Sequence, residues 1–308
     1  MTEFVCNVCG ARNRLPRGPM DREAPTCAGC QSNVRVRGLL QALSRELFGL
    51  NLALPDFPRV RSLRGLGCSD AAPYAGRLRE KLDYRNTFYD RAPRLDLTRI
   101  PAGESGLYDF VLASEVFEHV PPPVEAVFGQ VCRLLKPNGV LVLTVPYSLD
   151  PATVEHFPRL NQFGLAQVGG QTVLVNRTAE GKLEATGDLV FHVGCSGPAA
   201  EMRLFSESGL RASLEAAGFL DVRFYADDYP PFGIVRAENW SLPVVARRGP
   251  LALSAEAARE VVEQWRDAHY ELKRLGKTTW HRVGRKLFRT GRKLGVIGEP
   301  PPPENLPQ

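Results

Sequence analysis

Apolar residues along this chain recur with two different periods, and the two alternate. Gly38-Leu39-Leu40-Gln41-Ala42-Leu43-Ser44-Arg45-Glu46-Leu47-Phe48 places them at helical spacing. Pro55 and Pro58 then mark a junction. Beyond it a strand-like run at 60–66 leads into small residues, a predicted helix over 74–82 and a second strand-like piece at 84–89. Residues 108–113 (YDFVLA) read as a compact apolar strand. Val124, Val127, Phe128, Val131, Leu134 and Leu135 return to helical spacing until Pro137-Asn138-Gly139 stops them. The run at 140–145 (VLVLTV) is apolar throughout, as in strands covered on both faces of a parallel sheet. A further helix is expected at 206–217, with strands at 222–225 and 242–246. Strands alternating with helices predict an α/β fold built on a doubly wound, mostly parallel sheet.

The chain has 308 residues, 44% of them hydrophobic, enough for a sizeable core. It has no apolar run of 18 residues, so no membrane span is expected, and MTEFVCNVCG carries no signal-like segment. A cytoplasmic protein is the expectation. The net charge of +5 is unevenly spread: nine Lys or Arg and no acidic residue fall within 272–294, leaving 30 basic against 34 acidic residues elsewhere. In that stretch Trp280, Val283, Leu287 and Leu294 form an apolar stripe among the basic residues. It reads as a segment for an anionic membrane surface or a protein partner, or as a solvated tail that its glycines keep from forming a helix. The final 299–308 is proline-rich and expected to be disordered.

Seven cysteines include two pairs, Cys6-x-x-Cys9 and Cys27-x-x-Cys30, separated by 17 residues. Each pair places two thiolates on one tight turn, and two such turns complete a tetrahedron around a structural Zn²⁺. Four thiolates leave no open coordination position for a substrate. Whether the ribbon recognises a partner or only braces the following helix is open. The resulting division is a zinc ribbon at 1–37, a linker helix at 38–55, the α/β domain at 56–250, a helical basic extension at 251–298 and the tail at 299–308.

YDFVLASEVFEHVPPP, a helix ending in RLLKPNG and then VLVLTVP resemble the central segment of small-molecule class I S-adenosylmethionine (SAM)-dependent methyltransferases. The likeness covers about 56–150, and the four-cysteine opening with Arg35-x-Arg37 is similar to zinc-bearing methyltransferases found near bacterial glycosyltransferases. This resemblance implies a Rossmann-like domain that binds SAM. It carries cofactor contacts onto Gly67, Cys68 and Ser69 in the turn after the first strand, with Ser69 and Ala71 replacing two glycines of the family loop. It further implies Asp90 at the ribose hydroxyls, Asp96-Leu97 at the adenine and Ser114 at the end of the fourth strand. A degenerate Rossmann-like scaffold without cofactor is the alternative.

Glu115, Glu118 and His119 form E-x-x-E-H. On a helix these positions share one face, so two carboxylates and an imidazole would converge and suit Mg²⁺ or Mn²⁺. The pattern is similar to that of ubiquinone-pathway O-methyltransferases and small-RNA 2′-O-methyltransferases, which implies a metal-held acceptor hydroxyl. The competing reading is metal-free, with His119 as a base or as packing. His156, with Glu155 beside it, is a further catalytic candidate, and His192 a further ligand. The leading function is O-methylation of a sugar, glycolipid or related metabolite. An RNA methyltransferase is the second, disfavoured because the main body is net acidic, so nucleic acid is not the expected partner. A non-enzymatic zinc scaffold is the third.

Overall fold

The structure, a computed structural model, describes residues 2–15, 18–187, 189–194, 197–250 and 253–276. Strands β1 (Thr2–Val5) and β2 (Arg12–Leu15) pair as an antiparallel hairpin. Helix α1 (Val34–Phe48) follows, opened by the Asn33 side chain, which accepts from the Val36 amide, and closed by Gly49 in the left-handed conformation. It begins four residues before the apolar pattern does, because that side-chain cap sets its start.

Next come β3 (Val60–Cys68), α2 (Ala72–Lys81), β4 (Leu82–Thr87), β5 (Tyr108–Ser114), α3 (Val124–Leu134) and β6 (Leu135–Thr144). The strand β6 starts directly after α3 and includes Pro137-Asn138-Gly139, which the sequence reading placed outside any strand. Eight short strands then intervene: β7 (Tyr147–Ser148), β8 (Val154–Glu155), β9 (Gln162–Val168), β10 (Gln171–Arg177), β11 (Leu183–Thr186), β12 (Phe191–Gly194), β13 (Gly197–Ala200) and β14 (Arg203–Ser206). Helix α4 (Glu207–Ala216), β15 (Asp221–Phe224) and β16 (Val244–Arg247) complete the α/β part.

The main sheet has six strands in the order β15-β16-β6-β5-β3-β4. Parallel pairing joins β4, β3, β5 and β6, while β16 lies antiparallel to both neighbours. This is a Rossmann-like fold, with a mostly parallel sheet. Its centre is sealed: Phe110, Val111, Leu112 and Ala113 of β5 and Leu141, Val142 and Leu143 of β6 have no solvent exposure. One face is covered by α3 through Val127, Phe128, Val131 and Leu134, the residues that the helical period picks out.

The helix α1 is tied to the sheet by a buried charge. Glu46, on α1, accepts from Arg247 Nε at 2.5 Å, Arg223 Nη2 at 2.8 Å and Tyr225 Oη at 2.6 Å. Glu46 and Arg247 are each at most 5% exposed.

The chain divides into a compact unit at Met1–Ala257 and a second at Ala258–Gln308. Of the second, the structure describes the continuation of α5 (Ala255–Gly276), on which Trp265, Tyr270 and Leu272 are exposed and Trp265 stacks on His269. The basic stretch from 277 onward and the proline-rich tail lie outside the described residues. No described helix is long and apolar enough to cross a membrane.

Removing the Glu46 carboxylate strands a buried guanidinium. Glu46→Ala should therefore lower unfolding free energy by about 3–5 kcal/mol in urea titration. A loss well below 1 kcal/mol would show that this ion pair does not hold α1 to the sheet.

Candidate cofactor and zinc sites

The two cysteine pairs meet. Cys6 and Cys9 lie in the turn of the β1–β2 hairpin, where Gly10 takes a φ of +78°. Cys27 and Cys30 occupy a second turn, closed by the Gln31 amide donating to the Cys27 carbonyl at 2.9 Å. The four Sγ atoms all lie within 4.8 Å of one another, with Cys6–Cys30 at 3.7 Å and Cys9–Cys27 at 3.6 Å. A tetrahedron with Zn–S bonds of about 2.3 Å has edges of about 3.8 Å, so this donor set fits zinc. Burial pushes Cys9 up to about 12. Burial also opposes Cys27, but the amides of Cys30 and Gly29 pull it down to about 6, toward the thiolate. Beside the cluster, Arg37 is fully buried, donating to the Ser32 carbonyl at 2.8 Å and the Gly233 carbonyl at 2.9 Å.

The chain runs from β3 through α2 to β4 at one edge, then returns past β3 to β5. The strand order therefore reverses between β3 and β5, and their carboxyl ends form the crevice where such sheets bind ligands. Each of the two strands is followed at once by a non-glycine residue held in the left-handed region, Ser69 at φ +59° and Glu115 at φ +55°. That conformation is costly for side-chain-bearing residues and concentrates at ligand sites. It persists here because the Ser69 amide donates to the Thr87 carbonyl at 2.7 Å and the Glu115 amide to the Thr144 carbonyl at 2.8 Å.

Beneath the first turn lies a polar knot. Asp70 accepts from Tyr74 Oη at 2.7 Å and from Tyr84 Oη, and its amide donates to Asn86 Oδ1 at 3.0 Å. Burial raises Asp70 to about 7 against the two tyrosine hydrogen bonds. A Cβ on Gly67 would overlap Tyr84 Oη, the Asp70 carboxylate and Asn86 Oδ1, and one on Gly65 would overlap the Phe110 ring. The space that a side chain on Gly67 would take is filled by the chain's own knot. Cys68 beside it is buried in the core.

Above the second turn stand two arginines from the N-terminal module. Arg22 grips Glu115 with both prongs, Nη2 to Oε1 at 2.7 Å and Nη1 to Oε2 at 3.2 Å. Arg35 reaches the Ser114 hydroxyl, which also contacts Thr144 Oγ1 at 2.9 Å. Glu115 is held below the usual carboxylate range: burial opposes this, and Arg22 and then Arg35 outweigh it. Neither arginine was selected as a site residue from sequence. No local spacing links Arg22 to a carboxylate 93 positions away.

The E-x-x-E-H residues do not share a helical face. Glu115 sits at the end of β5, while Phe117–His119 is a single 3-10 turn. The backbone reversal at Glu115 sends its carboxylate to Arg22. Glu118 is fully buried, and neither carboxyl oxygen has a hydrogen-bond partner. Burial, and then the charge on Glu115, drives Glu118 well above the usual carboxylate range. His119 Nδ1 lies 3.0 Å from the Ala200 carbonyl, and Nε2 lies 3.7 Å from Glu118. The turn is clamped by Arg203, fully buried, which donates to the carbonyls of Phe117 and Val120 at 2.8 and 2.7 Å. Among the described residues, only the cysteine cluster gathers three or more ligand atoms suited to a metal. The arrangement of Glu115, Glu118 and His119 therefore does not fit a shared Mg²⁺ or Mn²⁺.

The other expected residues spread along the same edge. Asp90 is exposed in the loop after β4. Asp96 closes a local turn, accepting from the Thr98 amide at 2.9 Å and hydroxyl at 2.7 Å, and Leu97 packs into the core. His156 Nε2 pairs with Glu201 at 2.8 Å. Its backbone amide donates to the Met202 carbonyl, while the Met202 amide donates to the Glu118 carbonyl, so the segment 200–203 bridges the two histidine regions. His192 lies in β12, and its side chain is outside the described residues.

A family profile for the methyltransferase domain matches residues 70–223, half of the chain. The chain belongs to this methyltransferase-domain family, and its sheet is the Rossmann-like fold of class I methyltransferases. Similar solved structures include the 1,6-didemethyltoxoflavin-N1-methyltransferase of Burkholderia thailandensis with S-adenosylhomocysteine bound, at 15% identity, covering 61% of this chain and 72% of that one, TM-score 0.35. A SAM-dependent methyltransferase of Mesorhizobium loti is 18% identical, with 64% and 96% covered and a TM-score of 0.31. A sugar N-methyltransferase of a Streptoalloteichus species is 16% identical, with 61% and 81% covered and a TM-score of 0.36. No curated protein matches the sequence.

Two outcomes follow from the sites. Purified protein should carry about one equivalent of zinc, lost with stability in Cys9→Ser and Cys27→Ser; full zinc in both variants would contradict the four-thiolate site. Asp70 ionises near 3.8 when unperturbed and near 7 when folded, so the folded state holds the extra proton between those values. Its stabilisation is complete below about pH 4 and declines as pH rises through about 7. Urea unfolding from pH 4 to 8 should show wild type losing stability relative to Asp70→Asn, whereas parallel profiles would contradict the assignment.

Proposed function

We propose that the chain methylates a hydroxyl of a sugar, glycolipid or related metabolite, with His119 as general base. The observation that supports this reading is the anchoring of His119 Nδ1 on the Ala200 carbonyl. A carbonyl only accepts, so Nδ1 carries the proton and Nε2 is left as the proton acceptor. A neutral Glu118 beside it does not hold the imidazole as an anion would, and the Arg203 clamp fixes the turn that carries both.

SAM, when bound, supplies an electrophilic methyl group on a sulfonium. The residues proposed to hold it are Ser69 in the turn after β3, Ser114 at the end of β5, Asp90 and Asp96. His119 takes the proton from the acceptor hydroxyl as the oxygen attacks, and the left-handed turns keep the flanking backbone fixed. The sugar class rests on the resemblance to methyltransferases found near bacterial glycosyltransferases, and the basic stretch 272–294 would bring the enzyme to an anionic surface or partner.

The test is methyl transfer from labelled SAM to panels of hydroxyl and amine acceptors. His119→Ala should lower kcat about 10²–10⁴-fold with nearly unchanged SAM affinity. Turnover should survive EDTA treatment that leaves the cysteine-bound zinc in place. Amine-only acceptance would sink the hydroxyl assignment, and activity lost to EDTA but restored by Mg²⁺ or Mn²⁺ would sink the metal-free mechanism.

A further inference from the structure

We propose that the zinc module supplies part of the cofactor site: Arg22 and Arg35 take the carboxylate of SAM's amino-acid end, Glu115 takes its ammonium, and the cysteine cluster holds both arginines in place. The proposal rests on the methyltransferase assignment and extends it to residues outside the matched domain, 70–223.

Position is the first argument. Arg22 and Arg35 contact Glu115 and Ser114, adjacent residues at the carboxyl end of β5, beside the reversal in strand order where ligands of such sheets sit. Rigidity is the second. Both side chains are only 18% exposed. Arg22 Nε donates to the Ser241 carbonyl at 3.0 Å, and Arg35 Nε donates to Glu23 at 2.7 Å. Guanidinium groups moored at Nε present their remaining prongs in a fixed direction, which suits forked recognition of a carboxylate.

Charge is the third. The free amino-acid end of SAM is a zwitterion, and an arginine facing a glutamate is its complement. Inserting the zwitterion between Arg22 and Glu115 exchanges one ion pair for two and strands no buried charge. Arg35 remains charged: burial opposes it, but Glu23 and Glu115 outweigh that cost.

The link to zinc is the placement of the arginines in the chain. Arg22 lies in the loop between the cysteine pairs, five residues before Cys27, and Arg35 lies five residues after Cys30, in the first turn of α1. The thiolate cluster closes that loop against the start of the helix, so both guanidiniums are set by the same anchor.

Calorimetry on the zinc-loaded full chain tests this with two ligands: S-adenosylhomocysteine, and 5′-methylthioadenosine, which lacks the amino-acid end. Arg22→Gln and Arg35→Gln should each weaken S-adenosylhomocysteine about tenfold or more, with 5′-methylthioadenosine affinity and zinc content unchanged. Cys27→Ser should show the same selective loss. If that variant fails to fold, the arginine variants alone decide. Equal weakening of both ligands, or undiminished S-adenosylhomocysteine affinity, would overturn the proposal. Wild-type protein that binds 5′-methylthioadenosine but not S-adenosylhomocysteine would overturn it too, whereas binding of neither would overturn the methyltransferase assignment itself.

Discussion

Arg22 and Glu115 are 93 residues apart in the chain and meet in a two-pronged ion pair at the carboxyl edge of the sheet. One partner is carried by the loop between the cysteine pairs, the other by the turn that follows the central strand β5. Their junction makes the N-terminal module a wall of the α/β domain's crevice. Glu115 reaches it only because its backbone turns into the left-handed region, and the arginine keeps that carboxylate ionised despite its burial. The cost of the strained turn is met locally by the Glu115–Thr144 backbone hydrogen bond and by the charge pair.

The same edge shows how a sheet built from apolar strands accommodates polar groups. Two glycines in β3 allow Tyr84 and Phe110 to close over the strand, and their rings stack 5.9 Å apart. Tyr84 and Tyr74 then satisfy the Asp70 carboxyl in a place sealed from water. On the other side of the reversal, Arg203 uses a fully buried guanidinium to hold the carbonyls of Phe117 and Val120, at the start of the Phe117–His119 turn and just past its end. Buried polar groups are affordable where every one is partnered. Glu118 departs from this, both its oxygens lacking hydrogen-bond partners, and burial then drives it toward the neutral form.

The strands β3, β4, β5, β6, β15 and β16 and the helices α2, α3 and α4 could be read from sequence within a few residues, with β6 the widest miss at its start. Their apolar runs are long, and their burial is dictated by the sheet. The eight short strands between β6 and α4 could not be read. The most exposed of them, β9, is open to solvent at every residue, so no apolar period marks it. The cysteine cluster was legible because each half is local and only the pairing is remote. The E-x-x-E-H group was legible as a motif but not as a shape: helical geometry was assumed, whereas a strand end and a single 3-10 turn occupy those positions. Arg22 carried no local signal at all. Its role depends on a tertiary contact between a loop and a strand end.

The account's central claim is that zinc module and sheet edge form one cofactor site, and amide hydrogen exchange on the full chain reads this most directly. Adding S-adenosylhomocysteine should slow exchange at 68–71 and 114–116 and, to a comparable degree, across 20–36 of the zinc module. Protection confined to the α/β domain, with 20–36 exchanging as before, would contradict it.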